Sequence, residues 1–439
     1  MMISQGCETV MIFTDRLFMS RLGPEQMSAT MMGGLTVFVM STFFIGLTGY
    51  SNALVAQFFG ADRKNRCGLV VTQAAILSFI GYPILLAASP LVIRYFEAGG
   101  ISPQQLGPQK AYFSIVVFSI IISLLRTCLS GFFCGIGKTG FVMIAAFISM
   151  VINIGANYIL IFGKFGAPAL GIKGAAIGTI IGGFTGLCVL VVIYLKYQVK
   201  SEYGIAQSWK YDRSVMGKLL RFGSPTGLEM FLNLTAFNLM IMIFHSDGLV
   251  TATAATIVFN WDLVSFVPLI GVQIGVTSLV GRYMGAGMPD TAHKATLSGI
   301  KMGWCYSLMI LVLFVFFTEP LVDMFKPAEI SAVFDNARPL SIFMVRLAAI
   351  YVMVDTLFAV LTGALRGAGD TLWAMFITVV LHWILVAILY TIMKVLDMSP
   401  KAGWISVVTV FISFSLLILW RYSSGKWRTI KVVERDSSK

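Results

Sequence analysis

Long apolar blocks separated by short polar gaps are the feature that most limits how this chain can fold. Each block runs for roughly 20 to 30 residues, the length that an α-helix needs to cross a hydrocarbon core about 30 Å thick. The sequence is 57% hydrophobic and 12% charged, whereas soluble domains carry about 25% charged residues. The chain lacks the polar surface of a soluble globule, and we expect an integral membrane protein.

Twelve membrane-spanning helices and an all-α fold are predicted from the apolar blocks between charged, glycine and proline breaks. The predicted spans lie near residues 1–20, 29–59, 67–94, 111–134, 141–162, 174–197, 217–244, 250–281, 295–318, 340–365, 372–394 and 402–421. They divide into an N-terminal six-helix lobe at 1–197 and a C-terminal six-helix lobe at 217–421. A connector at 198–216 joins the lobes, and a basic tail follows at 422–439.

The distribution of positive charge predicts the orientation. Loops after the even-numbered spans, together with the tail, carry about twice as many Lys and Arg as the other loops. This asymmetry places those loops, the connector and both termini in the cytoplasm, and it predicts a bacterial cytoplasmic (inner) membrane protein. The net charge of +12 does not indicate nucleic-acid binding, because the basic residues lie between apolar blocks and not on one aromatic-rich face. We expect residues 426–439 to be solvated and to face lipid headgroups.

Two short motifs occur once in each half of the chain. Leu54-Val55 with Gly60-Ala61 returns as Leu279-Val280 with Gly285-Ala286, and Gly131, Gly135, Gly137 and Thr139 return as Gly363, Gly367, Gly369 and Thr371. Because six helices separate equivalent positions, the halves form a parallel repeat related by an axis along the membrane normal. We expect a substrate path between two lobes that rock about their interface.

Charged residues inside the spans are the candidates for function, because a charge at the bilayer centre costs at least about 2.5 kcal/mol. The carboxylates are those of Glu8, Asp15, Glu229, Asp262 and Asp355. Each either pairs with an arginine or binds a proton or cation. The predicted pairing partners are Arg16, Arg126 and Arg346. For Asp15 and Asp355 we favour proton or cation coupling.

A first-lobe cation site is predicted from spacing. Glu8 and Asp15 are seven residues apart, so two helical turns bring both carboxylates onto one face, where they could share a cation or proton. Asn153, Asn157 and Thr179 add the neutral oxygens that sodium requires and a proton does not. No transition-metal site is expected, because the six cysteines form no CxxC pair and have no histidine near them in sequence.

No enzyme is predicted. GxSxG, HExxH and Walker motifs are missing from the sequence, and we expect no cofactor. Uphill transport would then be driven by an ion gradient, with a proton or sodium as the coupling ion. A monomer is expected, because the duplicated halves already create a complete cleft.

Over essentially its whole length the chain resembles the multidrug and toxic compound extrusion family, part of a superfamily that also contains flippases of lipid-linked oligosaccharides. The matching residues are Asp15-Arg16, Arg21-Leu22-Gly23, Gln57, Gly60-Ala61, Asn153, Asn157, Gly163, Gly174-Ala175-Ala176, Thr179, Gly223-Ser224-Pro225, Pro268, Gly271 and Leu365-Arg366-Gly367-Ala368-Gly369-Asp370-Thr371. The last of these motifs is the most specific.

The resemblance implies two six-helix lobes around a V-shaped cleft, and export of organic cations or other toxic amphipathic compounds in exchange for protons or sodium. It implies a first-lobe cation site made of Asp15, Asn153, Asn157 and Thr179, with Glu8 at a neighbouring polar position. The position of Asp355 matches an acidic residue that one subgroup uses in its second lobe.

Two departures and one alternative accompany this resemblance. The subgroup's second-lobe glutamate should fall near Asn233, whereas the acid here is Glu229, one turn earlier, and some family members have Asp at the position of Asn157. The alternative function is a flippase of a lipid-linked precursor. A flippase would need several cleft cations for an anionic headgroup, and the chain has few cations within its spans.

Overall fold

The computed structural model describes residues 1–98, 103–198, 201–326 and 332–434. The α-helices of this described part are α1 (Met2–Ser20), α2 (Pro24–Gly49), α3 (Ser51–Gly60), α4 (Cys67–Ala98), α5 (Pro103–Val116), α6 (Ile120–Gly135), α7 (Thr139–Phe162), α8 (Ile172–Gln198), α9 (Arg213–His245), α10 (Leu249–Gly285), α11 (Pro289–Phe316), α12 (Thr318–Asp323), α13 (Ala332–Ala368), α14 (Thr371–Tyr390) and α15 (Pro400–Ser423). Short 3-10 helices occur at Lys64–Arg66, Val117–Ser119, Ser201–Tyr203 and Lys426–Thr429, and a π-helix occurs at Thr391–Val395.

The predicted all-α fold of twelve long helices in two lobes is confirmed. Eleven helical stretches of the described chain are long and apolar enough to cross a membrane. The twelfth span is α1, whose 19 residues include Glu8, Asp15 and Arg16 and are correspondingly less apolar. Two spans are interrupted, since α2 and α3 meet at Tyr50 and a 3-10 turn joins α5 to α6.

Short-range signals set several helix ends. The carboxylate of Asp212 caps α9 by accepting a hydrogen bond of 3.0 Å from the backbone N–H of Val215. Helix α7 ends at Gly163, which adopts a left-handed conformation with φ of 67°. The short helix α12, which was not predicted, packs Leu321 and Val322 into the second lobe. Two hydrogen bonds from Arg338 lower the pKa of Asp323 at the end of this helix.

One end of the molecule carries most of the loops that were predicted to be basic. This basic end consists of residues 61–66, 136–138, 201–212, 286–288 and 424–434. Here the connector lies against the first lobe through an ion pair of 2.6 Å between Lys64 and Glu202 and one of 2.8 Å between Arg66 and Asp212.

The tail differs from the prediction over its described part. It does not project into solvent, because Trp427 is 1% exposed and Val432 and Val433 are 4% and 8% exposed. The apolar residues between its Lys and Arg side chains have a protein surface to pack on, and burying them removes apolar area from water. The prediction of a solvated segment is therefore wrong for Trp427, Val432 and Val433, whereas Arg428, Thr429 and Lys431 are exposed as predicted, and residues 435–439 lie outside the described part.

Candidate functional site

The first lobe contains a chain of polar side chains that starts at Asp15. The amide nitrogen Nδ2 of Asn157, on α7, donates a hydrogen bond to the carboxylate of Asp15 on α1. The same nitrogen lies 3.3 Å from Oδ1 of Asn153, whose own nitrogen donates to the backbone oxygen of Gly178 at 3.4 Å. Both asparagines are 0% exposed, whereas Asp15 is partly exposed. The structure thus brings together three of the four predicted cation-site residues.

Glycines on α8 make this arrangement fit. A Cβ atom at Gly178 would overlap Oδ1 of Asn157, and one at Gly182 would lie 2.5 Å from Cβ of Asn153. Gly174 allows the same close approach one turn earlier, where an added Cβ would lie 2.5 Å from the backbone oxygen of Leu160. Spacing of four residues puts these glycines on one face of α8, so α7 and α8 pack with their backbones close together.

Tyr112 connects the fourth predicted residue to the site. Its hydroxyl lies close enough to the side chain of Thr179 and to the carboxylate of Asp15 for electrostatic interaction with both. The Tyr112 side chain is 6% exposed and packs against Gly33. Thr179 also donates to the backbone oxygen of Ala175 at 2.9 Å. Tyr112 was not predicted from the sequence, because a tyrosine in an apolar span has no feature that separates it from a packing residue.

Glu8 does not join Asp15. Its carboxylate forms an ion pair with Arg126 on α6, one of the predicted structural partners. Seven residues of α-helix rise about 10.5 Å, which is too far for two carboxylates to hold one cation. The structure therefore pairs Glu8 with Arg126 and Asp15 with Asn157, and it does not bring the two carboxylates together. Both partners of this ion pair are partly exposed, with side-chain exposures of 36% for Glu8 and 25% for Arg126.

The second lobe holds two carboxylates and a tyrosine near each other. Tyr351 donates a hydrogen bond of 2.9 Å from its hydroxyl to Oδ1 of Asp262. Asp355 lies one turn after Tyr351 on α13, is 4% exposed, and is close enough to Asp262 for their charges to interact. Within the described part of the chain, no hydrogen bond or ion pair reaches the Asp355 carboxylate. Tyr351 also was not predicted from the sequence, although its spacing from Asp355 puts both residues on one helix face.

Glu229 has a different environment. Oε2 of Glu229 lies 3.0 Å from Nη2 of Arg366, and Oε1 accepts a hydrogen bond of 3.0 Å from Thr378 on α14. The pair is mostly buried, with side-chain exposures of 2% for Glu229 and 18% for Arg366. The partner is Arg366, and not Arg16, Arg126 or Arg346 as the sequence predicted. Asn233, one turn later, keeps a buried Oδ1 without a hydrogen-bond partner in the described residues.

The motif at residues 365–371 connects several helices at the basic end. Arg366 binds Glu229 of α9, and Asp370 forms two hydrogen bonds of 2.8 and 3.0 Å with Arg421 of α15. The backbone oxygen of Gly367 accepts a hydrogen bond of 2.7 Å from Gln57, which belongs to the first lobe. These contacts join α13 and its end to α9 and α15 of the second lobe and to α3 of the first lobe.

The repeated glycine motifs meet at the contact between the lobes. An added Cβ at Gly60 of α3 would overlap the backbone oxygen of Arg282 on α10, and one at Gly285 would overlap the backbone oxygen of Gln57. Gln57 and Arg282 are equivalent positions of the repeat. In each lobe, therefore, the repeated glycine lies against the backbone of the equivalent residue in the other lobe. We call this contact of α3 with α10 the gate. The guanidinium of Arg282 completes it by lying 4.6 Å from the ring centre of Phe59.

Further contacts extend the closure between the lobes. Ser278 of α10 donates to the backbone oxygen of Cys134 at 2.6 Å. Asn52 of α3 donates to the backbone oxygen of Ile274 at 3.2 Å. Deeper in the membrane, α2 and α9 approach so closely that an added Cβ at Gly46 would lie 2.6 Å from Cα of Gly227. The basic end is closed in this structure.

No group of three or more His, Cys, Asp or Glu side chains is arranged to hold a metal ion within the described ranges. The six cysteines are free thiols, four of them buried.

Comparison with known proteins gives a consistent result. A sequence profile described as MatE matches residues 1–159 and 225–392. A probable multidrug resistance protein NorM of Thermotoga maritima is 26% identical to this chain and aligns over 97% of this chain and 90% of that protein. A probable multidrug resistance protein NorM of Shewanella oneidensis is 25% identical over 99% of this chain and 95% of that protein.

Solved structures share the fold. A crystal structure described as MATE in the straight conformation superposes with a TM-score of 0.87 at 18% identity, over 98% of this chain and 95% of that chain. A structure described as the outward-facing conformation of a multidrug resistance MATE family transporter superposes with a TM-score of 0.86 at 20% identity, over the same shares of the two chains.

Proposed function

This chain belongs to the MatE family of efflux transporters, and from that premise we propose that it is a secondary antiporter. It exports organic cations or other toxic amphipathic compounds in exchange for protons or sodium, by alternating access. It is a multi-pass membrane protein, not an enzyme. In our proposal it lies in the bacterial cytoplasmic membrane and works as a monomer, with the basic end and both termini in the cytoplasm.

The contact between Asp15 and Asn157 is the observation that carries this proposal. Of the two carboxylates of α1, Asp15 has the neutral partner Asn157 in the described residues, whereas Glu8 is paired with Arg126. A carboxylate without a cationic partner can take up a proton or cation and so change its net charge during a transport cycle. In the second lobe Asp355 has this property, and Asp262 and Tyr351 lie beside it.

Two coupling ions fit the first-lobe site in different ways. With its NH₂ group directed at Asp15, Asn157 stabilises a bare carboxylate, which fits exchange of a proton. A sodium ion would instead need the amide oxygen of Asn157, because hard cations take oxygen ligands. That oxygen is buried and has no hydrogen-bond donor among the described residues, so rotation of the amide would present it to a cation.

Antiport also requires that ion and substrate favour different states or compete for one state. The closed gate defines one state of the cycle, in which the cytoplasmic side is sealed. Separation of α3 from α10 would create the other state. The glycine contacts of the gate suit such a two-state element, since flat backbone surfaces can part without uncoupling interlocked side chains.

The experiment is transport of ethidium by purified protein in proteoliposomes. A pH gradient and a sodium gradient are imposed separately, and Asp15→Asn and Asp355→Asn are measured beside the wild type. Glu25→Gln, at an exposed position near the start of α2, is the matched control. We expect one gradient to drive transport, Asp15→Asn to abolish it, and Glu25→Gln to leave it unchanged. Absence of transport under both gradients would contradict the proposal.

The ion pairs of the arginines within the spans argue against the flippase alternative. A channel for an anionic headgroup needs several cations without internal partners, whereas Arg126 pairs with Glu8, Arg366 with Glu229 and Arg346 with Glu319. Of the three arginines predicted to form pairs, Arg16 alone has no ion pair among the described residues. Movement of a fluorescent lipid-linked phosphate by the same proteoliposomes, without ethidium transport, would reverse this preference.

A further inference from the structure

The tail crosses the closed gate on its outside. Residues 426–434 leave the end of α15 in the second lobe and run over the loop after α10 towards the corner of the first lobe that follows α3. Between this segment and the gate lies a cavity of about 250 Å³. Gln57 from the first lobe and Met284 from the second lobe both line this cavity. The segment therefore touches both sides of the contact that has to part.

The start of the segment is anchored on the second lobe. The Trp427 side chain is 1% exposed, its indole nitrogen donates to the backbone oxygen of Tyr422 at 2.9 Å, and the two rings stack at 5.1 Å. Arg428 forms an ion pair of 2.9 Å with Asp290 at the start of α11. A buried tryptophan with its N–H satisfied is a strong attachment.

The end of the segment is attached more weakly. Val432 and Val433 are buried in the cluster that joins α3 and α4 of the first lobe to the start of α9. Arg63 of the first lobe donates to the backbone oxygen of Glu434 at 3.4 Å, and Lys218 donates to that of Val432. These contacts use two small side chains and two flexible cations, so they can be released without unfolding a helix.

Backbone geometry ties the segment to the gate. Gly369 has φ of 94°, and an added Cβ there would collide with Val432. Two residues earlier, at the end of α13, the backbone oxygen of Gly367 accepts a hydrogen bond from Gln57 of the first lobe. Residues 367–369 of the second lobe therefore contact both the tail segment, through Val432, and the gate, through Gln57. Because five residues of extended chain reach at most about 18 Å, the distance between Arg428 and Val433 cannot grow freely as the lobes separate.

We propose that residues 426–434 form a strap that holds the gate closed, with Trp427 as its fixed anchor on the second lobe and Val432 and Val433 as its releasable end. Opening of the gate requires this end to leave its site. The strap adds a device to the alternating-access cycle proposed above and rests on that cycle, but its test needs no substrate.

The test measures the distance between spin labels on the two lobes by pulsed electron paramagnetic resonance. Labels are placed at Lys138→Cys in the first lobe and Lys294→Cys in the second, both exposed at the basic end. Cys188 and Cys305, which are not buried, are replaced by Ser. The strap variant is Val432→Asp with Val433→Asp, and the matched control is Lys431→Ala at an exposed position of the same segment.

We expect the strap variant to shift the distribution towards longer distances, and the control to match the wild type. A second pair of variants tests the strap even if the variant with Val432→Asp and Val433→Asp does not fold. Arg428→Glu alone should shift the distribution in the same direction, and Arg428→Glu with Asp290→Arg should restore it. Conversely, with labels attached as thioethers, a disulfide between Arg63→Cys and Glu434→Cys, formed by added copper phenanthroline as oxidant, should abolish the long distances until a reductant is added.

Wild-type distance distributions in all strap variants would overturn the proposal, as would long distances in the disulfide-linked protein. The two proposals fail in different ways. If the strap variants change the distances but the protein transports no ethidium, the antiporter proposal is contradicted and the strap proposal is supported.

Discussion

Arg366 and Glu229 form an ion pair inside the second lobe, with 3.0 Å between guanidinium and carboxylate. Thr378 satisfies the other carboxylate oxygen. This pairing distinguishes Glu229 from Asp355, whose carboxylate has neither kind of partner in the described chain. Two acidic residues that look alike in sequence therefore have different expected roles, one in holding α9 against α13 and α14, and one in ion exchange.

Replacing one member of the Glu229–Arg366 pair should be costly. Glu229→Gln leaves the Arg366 charge uncompensated in a mostly buried site, and we expect a loss of about 3–5 kcal/mol in the free energy of unfolding. Glu229→Gln with Arg366→Gln should recover much of that loss, because no uncompensated charge remains. Thermal unfolding in detergent measures both, with Glu25→Gln as control. Wild-type stability of Glu229→Gln combined with lost transport would instead assign Glu229 to ion coupling.

Gly178→Ala tests the geometry of the first-lobe site without touching a polar residue. The added methyl group would overlap Oδ1 of Asn157 and displace its amide from Asp15. We expect gradient-driven ethidium transport to fall as far as it does in Asn157→Leu. Gly155→Ala is the control on the neighbouring helix, since nothing lies within 4 Å of a Cβ added there. If Gly178→Ala transports normally, the Asn157–Asp15 contact is not needed for coupling.

Gly285→Val tests the gate. The larger side chain would collide with the backbone oxygen of Gln57 and should force the lobes apart at the basic end. Cys134 reports on this movement, because it lies in the contact between the lobes and is 2% exposed. We expect a water-soluble maleimide to label Cys134 faster in Gly285→Val than in the wild type or in Gly155→Ala, as measured by mass spectrometry. Equal labelling in all three proteins would show that the gate tolerates the extra bulk.

Most of the fold was predictable because the bilayer fixes the length of an apolar helix. The limits of the prediction lie where apolarity is interrupted. Residues 1–20 contain three charged side chains, so α1 is less apolar than the other eleven spans although it packs as a helix of the first lobe. The break at Tyr50 and the short helix α12 depend on tertiary packing, which leaves no periodic signal in sequence.

Within the candidate site, the grouping of Asp15, Asn157 and Asn153 was predicted from the residues and from the family resemblance, and the structure places Asn157 in contact with both Asp15 and Asn153. The partner of Glu229 did not follow, because Arg366 lies at the end of a span where a basic residue normally faces water. The docked tail was missed for a related reason. Its frequent Lys and Arg suggest a solvated segment, whereas its fold depends on Trp427 and two valines.

Proton release on substrate binding is the most direct test of the central claim that Asp15 couples ion and substrate. Ethidium is added to purified protein in weakly buffered detergent solution with a pH-sensitive dye, and its affinity is measured in parallel with and without sodium. We predict that ethidium releases protons from the wild type, or binds more weakly in sodium, and that Asp15→Asn shows neither effect while still binding ethidium. Binding by the wild type with no proton release and no sodium dependence would contradict the account.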